Sequence, residues 1–222
     1  MAKLLLARHI RSSARVTKGF NAMQSLWIEP IMAVLLGYLL GSIPFGLLLI
    51  KATGGGDLRT IGSGNIGATN VLRTGNKAIA ALTLALDVGK GAAAVLIARH
   101  YFPSLEMLAG MGAFLGHLYP VWLRFQGGKG VATLLGIIWA LHPISALIFA
   151  VVWIAALLLL RYSSVSGMLA SVSLPITAFF VGNYALIPML VGFTLLVLWK
   201  HRANIERLMA GTEPKVGSKA RA

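Results

Sequence analysis

An all-α bundle that crosses a membrane several times is the fold class this sequence predicts, with about seven transmembrane helices, the N-terminus outside and the C-terminus cytoplasmic. Three observations predict it. The 222 residues are 57% hydrophobic and only 12% charged, whereas a soluble domain carries about 25% charged residues. The apolar residues gather into runs near the roughly 20 that a helix needs to cross hydrocarbon. No segment alternates in polarity as a membrane strand does, so helices are the spanning structure that satisfies every backbone group.

The spans follow in order. The first covers about Leu26–Ile50, the second about Lys77–Arg99, the third about Leu105–Phe125, and the fourth about Gly130–His142. Pro143 suits the first turn of the fifth span, where its missing N–H is needed nowhere, and that span runs to about Tyr162. The sixth covers about Ser166–Val181 and the seventh about Tyr184–Trp199, the fourth and sixth being short. Loops after the first, third and fifth spans then share one side with the tail. They carry Lys51, Arg59, Arg73, Lys77, Arg124, Lys129, Arg161, Lys200, Arg202, Arg207, Lys215, Lys219 and Arg221, against Arg99 alone in the opposite loops. Basic flanks stay cytoplasmic, which sets the orientation.

The N-terminal segment opposes that rule, because Lys3, Arg8, Arg11, Arg15 and Lys18 fall outside. Three readings compete: an interfacial arm, a true start at Met23, or an inverted topology. The start at Met23 is preferred, since the loop evidence comes from four places. The chain thus divides into a basic arm (1–25), a seven-helix domain (26–208) and a basic cytoplasmic tail (209–222).

Composition also excludes. The absence of cysteine removes disulfides, thiolate nucleophiles and cysteine-bound metals. The net charge of +14 reads as orientation and as contact with anionic lipid headgroups, and it favours phosphorylated substrates over nucleic acid. His117 and His142 have no carboxylate nearby in sequence, so neither a metal nor another cofactor is expected.

Four polar stretches interrupt the oily pattern. In "IGSGNIGATNVLR", Gly62, Gly64 and Gly67 permit close backbone approach and N–H groups aimed into one concavity. Ser63, Asn65, Thr69 and Asn70 add neutral donors, and Arg73 offers a guanidinium that grips phosphate through two hydrogen bonds. That set suits a doubly charged oxyanion better than a flexible linker. In "FQGGKGVAT", Gly127, Gly128 and Gly130 flank Lys129 just before a helix start, combining a backbone nest, a positive helix end and an ammonium. The spacing is not that of a Walker loop. "RYSSVSG" offers Ser163, Ser164 and Ser166, of which two are read as helix caps. In "WKHRANIERL", His201 and Asn204 share a helix face and Glu206 points elsewhere. Within the second span, Asp87 and Lys90 stand three apart and are expected to pair as a structural brace, with Gly89 and Gly91 admitting a neighbouring helix.

Taken together and in order, "GSIPFG", "GSGNIGATNVLR", "LDVGKG", "GHLYPVWLRFQGGKGVAT", "RYSSVSG" and "HRANIERL" resemble the bacterial acyl-phosphate:glycerol-3-phosphate acyltransferase family over about Met32 to Leu208. The resemblance implies a seven-helix inner-membrane enzyme that moves an acyl chain from acyl phosphate to glycerol 3-phosphate, giving lysophosphatidate and phosphate. It implies that Ser63, Asn65, Thr69 and Arg73 line a phosphate pocket, that Lys129 binds phosphate too, and that Ser164 is the serine of the third loop. His201 and Asn204 would contact glycerol 3-phosphate, and Glu206 would hold the site together. Elementary chemistry agrees: an acyl phosphate is already activated, so positioning and charge stabilisation suffice without an acyl-enzyme. The hydroxyl proton goes to the substrate's own phosphate or to His201. The competing reading is a small-anion or phosphate-ester transporter with Asp87 and Lys90 as its coupling pair, but the polar stretches lie on one side and no internal repeat is evident.

Overall fold

The computed structural model describes residues 24–217 and is helical throughout its regular structure. A π-turn, Gln24–Ile28, leads into α1 (Glu29–Gly41), and α2 (Phe45–Ala52), α3 (Ala68–Leu72), α4 (Lys77–Tyr101), α5 (Glu106–Leu118) and α6 (Val131–Leu141) follow. Then come α7 (Pro143–Leu160), α8 (Ser163–Phe180), α9 (Ile187–Lys200) and α10 (Arg202–Met209). The expected basic arm lies outside the described residues, apart from its last two.

Several helices are apolar enough to cross a membrane. Four have the length: Leu26–Ala52 taken as one span, α4, α7 and α8; Tyr184–Lys200 with α10 makes a fifth if its 55° bend is accepted. The helices of the expected third and fourth spans are short, α5 having 13 residues and α6 having 11. The expected third span ran on to Phe125, but α5 stops at Leu118, because the residue before Pro120 is steered out of the helical region. The first span is broken rather than continuous. Pro44 lacks an N–H and its ring crowds the preceding turn, so the helix stops there and the Ser42 and Ile43 carbonyls are left without i+4 donors. Side chains replace them: the Lys90 Nζ donates to Ile43 O at 2.8 Å and the Trp122 indole N–H to Ser42 O at 2.7 Å. Such replacement is what allows non-helical backbone inside a membrane bundle.

Glycine sets the helix spacing. α1 carries Gly37 and Gly41, and α5 carries Gly112 and Gly116, each pair one turn apart and facing the other helix. A Cβ on Gly37 or Gly41 would come within 2.0 Å of the Ala109 or Ala113 carbonyl, and one on Gly112 within 2.2 Å of Val34 O. The two backbones therefore touch, the packing that replaces a hydrophobic driving force in lipid. α4 and α6 meet in the same way, through Gly91 against Thr133 O and Gly136 against Val88 O. Gly89, paired with Gly91 in the sequence reading, faces open space instead. Replacing Gly112 with Leu should cost at least ~3 kcal/mol of overpacking, lowering the melting temperature by roughly 6–12 °C. Thermal unfolding followed by size-exclusion chromatography checks this.

The buried core runs along α4–α9, with the Phe114 and Phe193 rings packed at 4.3 Å between centroids and tilted by 42°. It leaves a cavity at the end where α3, the α5–α6 loop, the start of α8 and α9–α10 converge.

Candidate active site

The first loop is braced from within. Asn70 is buried, and its Nδ2 donates to Leu58 O and Ile61 O at 2.9 Å each while its Oδ1 accepts from the Ser63 N–H at 3.1 Å. With its amide hydrogen-bonded to the backbone, Asn70 shapes the loop from within while also lining the cavity. Gly62, at φ +56°, lets the Arg73 side chain cross its backbone, since a Cβ there would come within 2.8 Å of Arg73 Cδ. Ser63, Asn65, Gly67, Thr69, Asn70 and Arg73 line the cavity.

The glycine loop works differently from the expected nest. The Gly127 N–H donates to Leu118 O at 3.2 Å and the Gly128 N–H to His117 O at 3.0 Å. Neither is free for an anion, and neither residue lines the cavity. Both are glycine because the loop lies against His117: a Cβ would come within 2.1 Å of His117 O at position 127 and within 2.2 Å of His117 Nε2 at position 128. This corrects their assignment to substrate binding. Gly130 does line the cavity, at φ +86°, and accepts the first hydrogen bond of α6 from Leu134 at 2.7 Å. The start of α6, with Val131 and Ala132, therefore abuts the cavity beside Lys129.

Lys129, Asn204 and Glu213 form a chain of hydrogen bonds. Lys129 Nζ donates to Asn204 Oδ1, and Asn204 Nδ2 donates to Glu213 Oε1 at 2.7 Å. Ser164 Oγ donates to the same Glu213 oxygen at 2.7 Å, and Arg207 Nε to the other at 2.8 Å. Thr69 and Ser163 join the first and third loops through their hydroxyls at 2.9 Å. Of the three serines in the α7–α8 turn, Ser163 and Ser164 reach the cavity and Ser166 bonds back to Tyr162 O.

Glu213 was not foreseen, and it displaces Glu206. Glu206 stands exposed on α10 with no partner among the described residues, so it does not hold the site together. Glu213 is buried at 8% exposure on the segment after α10, expected as a separate tail. Gly211, at φ +68°, ends α10 and turns the chain back, as a left-handed C-terminal glycine does. The returning strand then bonds through the Val216 N–H to Arg161 O at 2.7 Å. A usable signal was present: the chain has six carboxylates, and one of them interrupts its basic C-terminus.

His201 sits at the kink between α9 and α10, buried, its Nδ1 2.8 Å from Val197 O. A carbonyl only accepts, so Nδ1 carries hydrogen and Nε2 of the neutral ring is the acceptor. Asp87 and Lys90 pair at 2.7 Å, and Asp87 with His117 reaches the cavity floor.

The charges are tuned by this setting. Burial lowers the Lys129 pKa to about 8; Glu213 pulls it upward, while Arg207, Arg73 and Lys200 press it down. Burial pushes the Glu213 carboxyl up, but hydrogen bonds from Ser164, Asn204 and Arg207 outweigh it and hold the group below its usual range. Burial likewise lowers Arg73. Among the described residues no cluster of His, Asp and Glu has metal-ligand geometry.

The cavity encloses about 280 Å³ and has two characters. One end presents Arg73, Lys129, Asn204, His201 and the serines, and the other presents Leu84, Leu135, Phe149, Trp153 and Ile154. Leu84 and Ile154 are also 44% and 51% exposed, so the apolar part of the lining reaches the outer surface of the bundle at α4 and α7.

A profile of the glycerol-3-phosphate acyltransferase family matches residues 31–211. A protein of that name from Mesorhizobium japonicum is 59% identical over 189 residues, covering 85% of this chain and 97% of the relative. One from Brucella ovis is 56% identical over 200 residues, covering 90% and 96%. The structure is similar to that of PlsY (YgiH), described as an integral membrane glycerol 3-phosphate acyltransferase, in its glycerol 3-phosphate form. The TM-score is 0.80 at 40% identity, covering 85% of this chain and 96% of the other. The lysophosphatidic acid form gives 0.78 at 38% identity, covering 84% and 94%.

Proposed function

The chain belongs to the glycerol-3-phosphate acyltransferase family, and from that premise we propose that it transfers a fatty acyl group from acyl phosphate to glycerol 3-phosphate. The products are lysophosphatidate and phosphate, and the reaction is the first acylation of phospholipid synthesis. The observation that carries the reading is the two-ended cavity, cationic and amide-rich at one end and apolar at the other, where its lining reaches the surface of the bundle; we infer that this flank is the lateral way in for an acyl chain. An acyl donor with an anionic head fits that shape, and glycerol 3-phosphate enters from the polar side.

In the proposed step the glycerol hydroxyl oxygen attacks the acyl carbonyl carbon, and the bond from that carbon to the phosphate oxygen breaks. Arg73 and Lys129 hold the two phosphates and stabilise the charge on the departing one. Ser63, Thr69, Asn65 and the remaining amide hydrogen of Asn204 orient the oxyanions, Ser164 acts through the Glu213 carboxylate to which it donates, and the mixed anhydride needs no covalent enzyme intermediate. The hydroxyl proton passes to His201 Nε2 or to the acceptor's own phosphate. Normal turnover of His201→Ala at saturating substrate would assign it to the phosphate.

We further propose seven crossings, with short α5 and α6 completed by backbone buried in the bundle, in a bacterial inner membrane. The basic loops support a cytoplasmic site and C-terminus. The deciding assay uses purified protein in detergent: phosphate should leave acyl phosphate only when glycerol 3-phosphate is present. Acyl transfer from a thioester but not from acyl phosphate would overturn the donor. No transfer from either, with transport of anion in vesicles, would favour the transporter. The sideways opening carries its own prediction. Ile154→Trp should narrow the portal and raise KM for a long-chain acyl phosphate by about tenfold, a loss of roughly 1.4 kcal/mol in binding, with KM for glycerol 3-phosphate unchanged.

A further inference from the structure

A second cleft lies apart from the cavity, between the Asp57–Arg59 turn and the Val121–Gln126 loop, lined by Arg59, Trp122, Leu123, Arg124 and Gln126. None of these five residues lines the acyl-transfer cavity. We propose that this cleft binds the phosphodiester headgroup of an anionic phospholipid.

Its donors converge. Asp57 engages Arg59 through Nε and Nη2, the latter at 2.8 Å, which fixes the guanidinium and leaves Nη1 for a ligand. The Arg124 guanidinium and the Gln126 carboxamide have no partner among the described residues. A planar guanidinium presents paired N–H groups to phosphate oxygens, and a carboxamide adds a neutral donor. The loop is held in shape for this. Arg124 and Phe125 have φ of 51° and 61°, two consecutive non-glycine residues in the left-handed region, where strain gathers at ligand sites. The Phe125 N–H closes the loop on Pro120 O at 3.0 Å and the Trp122 indole ties it to Ser42 O at 2.7 Å, so one local bond and one tertiary bond hold the conformation.

The flank chooses the occupant. Val121, Trp122 and Phe125 are about half exposed beside the donors, giving an apolar rim with an indole and a phenyl ring. Aromatic rings sit at headgroup level in a bilayer, and juxtamembrane arginines draw anionic lipid. A free phosphate would use the donors and leave that rim idle.

The test titrates phosphatidylglycerol and phosphatidylcholine separately into the detergent-solubilised full chain, with bound lipids counted by native mass spectrometry. Wild type should prefer phosphatidylglycerol by about fivefold, the contribution of one uncompensated arginine near a headgroup, because Asp57 balances the charge of Arg59 and leaves it a geometric role. The pair Arg59→Gln and Arg124→Gln should abolish that preference while acyl-transfer turnover in detergent stays within about twofold, showing an intact fold. The charge-matched pair Lys51→Gln and Lys77→Gln should keep it. No preference in wild type, its survival in the Arg59 and Arg124 pair, or its equal loss in the lysine pair would overturn the proposal. Displacement of phosphatidylglycerol by millimolar inorganic phosphate would overturn it in favour of a free-anion site.

Discussion

Glu213→Ala should cut acyl transfer by at least roughly 30-fold, matching the lower bound of about 2 kcal/mol for removing one partner of a buried, hydrogen-bonded charge. Three donors lose their acceptor at once: Ser164, Asn204 and Arg207. Asn204 is the group that holds Lys129, so the damage reaches a phosphate-binding cation that Glu213 does not touch. A positioning role predicts a graded series. Glu213→Gln keeps an oxygen for Ser164 and Asn204 and should recover much of the turnover, while Arg207 faces a neutral amide. A purely structural role would lower the melting temperature of both variants without separating their KM values for glycerol 3-phosphate. Acid adds a second reading. The Glu213 pKa is lowered in the fold, so its stabilisation is full above the unfolded carboxylate range and is lost as pH falls through the folded value. The segment from 210 to 217 should therefore become protease-sensitive in acid in wild type, and at every pH in Glu213→Ala.

Lys129→Met should lower kcat/KM by about 10²–10³, the range for deleting one preorganised donor to developing negative charge. The pH profile is the sharper check. With a pKa of about 8, Lys129 is cationic below that value and neutral above it. KM for glycerol 3-phosphate should rise between pH 7 and 9 in wild type, and the rise should vanish in Lys129→Met. Lys129→Arg keeps the charge but changes its shape beside Asn204, and should recover only part of the loss. Turnover of Lys129→Met equal to wild type would remove Lys129 from the site.

Parts of this architecture were readable at once because they depend on local chemistry. The helices from Lys77 and from Pro143 are long apolar runs with clear start signals, and they begin where expected. Arg73 and Lys129, 56 positions apart in the sequence, were expected on one side of the membrane, and they line one cavity. Others needed distance information. Glycines at 127 and 128 look like an anion cradle in sequence, since the same residues serve a tight approach to His117 as well as they serve a nest. Asn70 reads as a ligand in sequence, and its second role, bracing the loop through Leu58, Ile61 and Ser63, is visible only in the fold.

The sequence by itself determined the class of environment and the chemistry: an oily chain with few charges must satisfy its backbone as helices, and its few clustered cations and amides must serve an anion. Which carboxylate completes the site was decided only by the tertiary structure. Glu206 and Glu213 are equivalent by residue type, and the left-handed turn at Gly211 sends one into the bundle while helical geometry leaves the other outside. Hydrophobic pattern and charge act over a few residues and are written along the chain. The return of a segment onto a distant loop depends on contacts such as Val216 with Arg161, which exist only once the helices have packed.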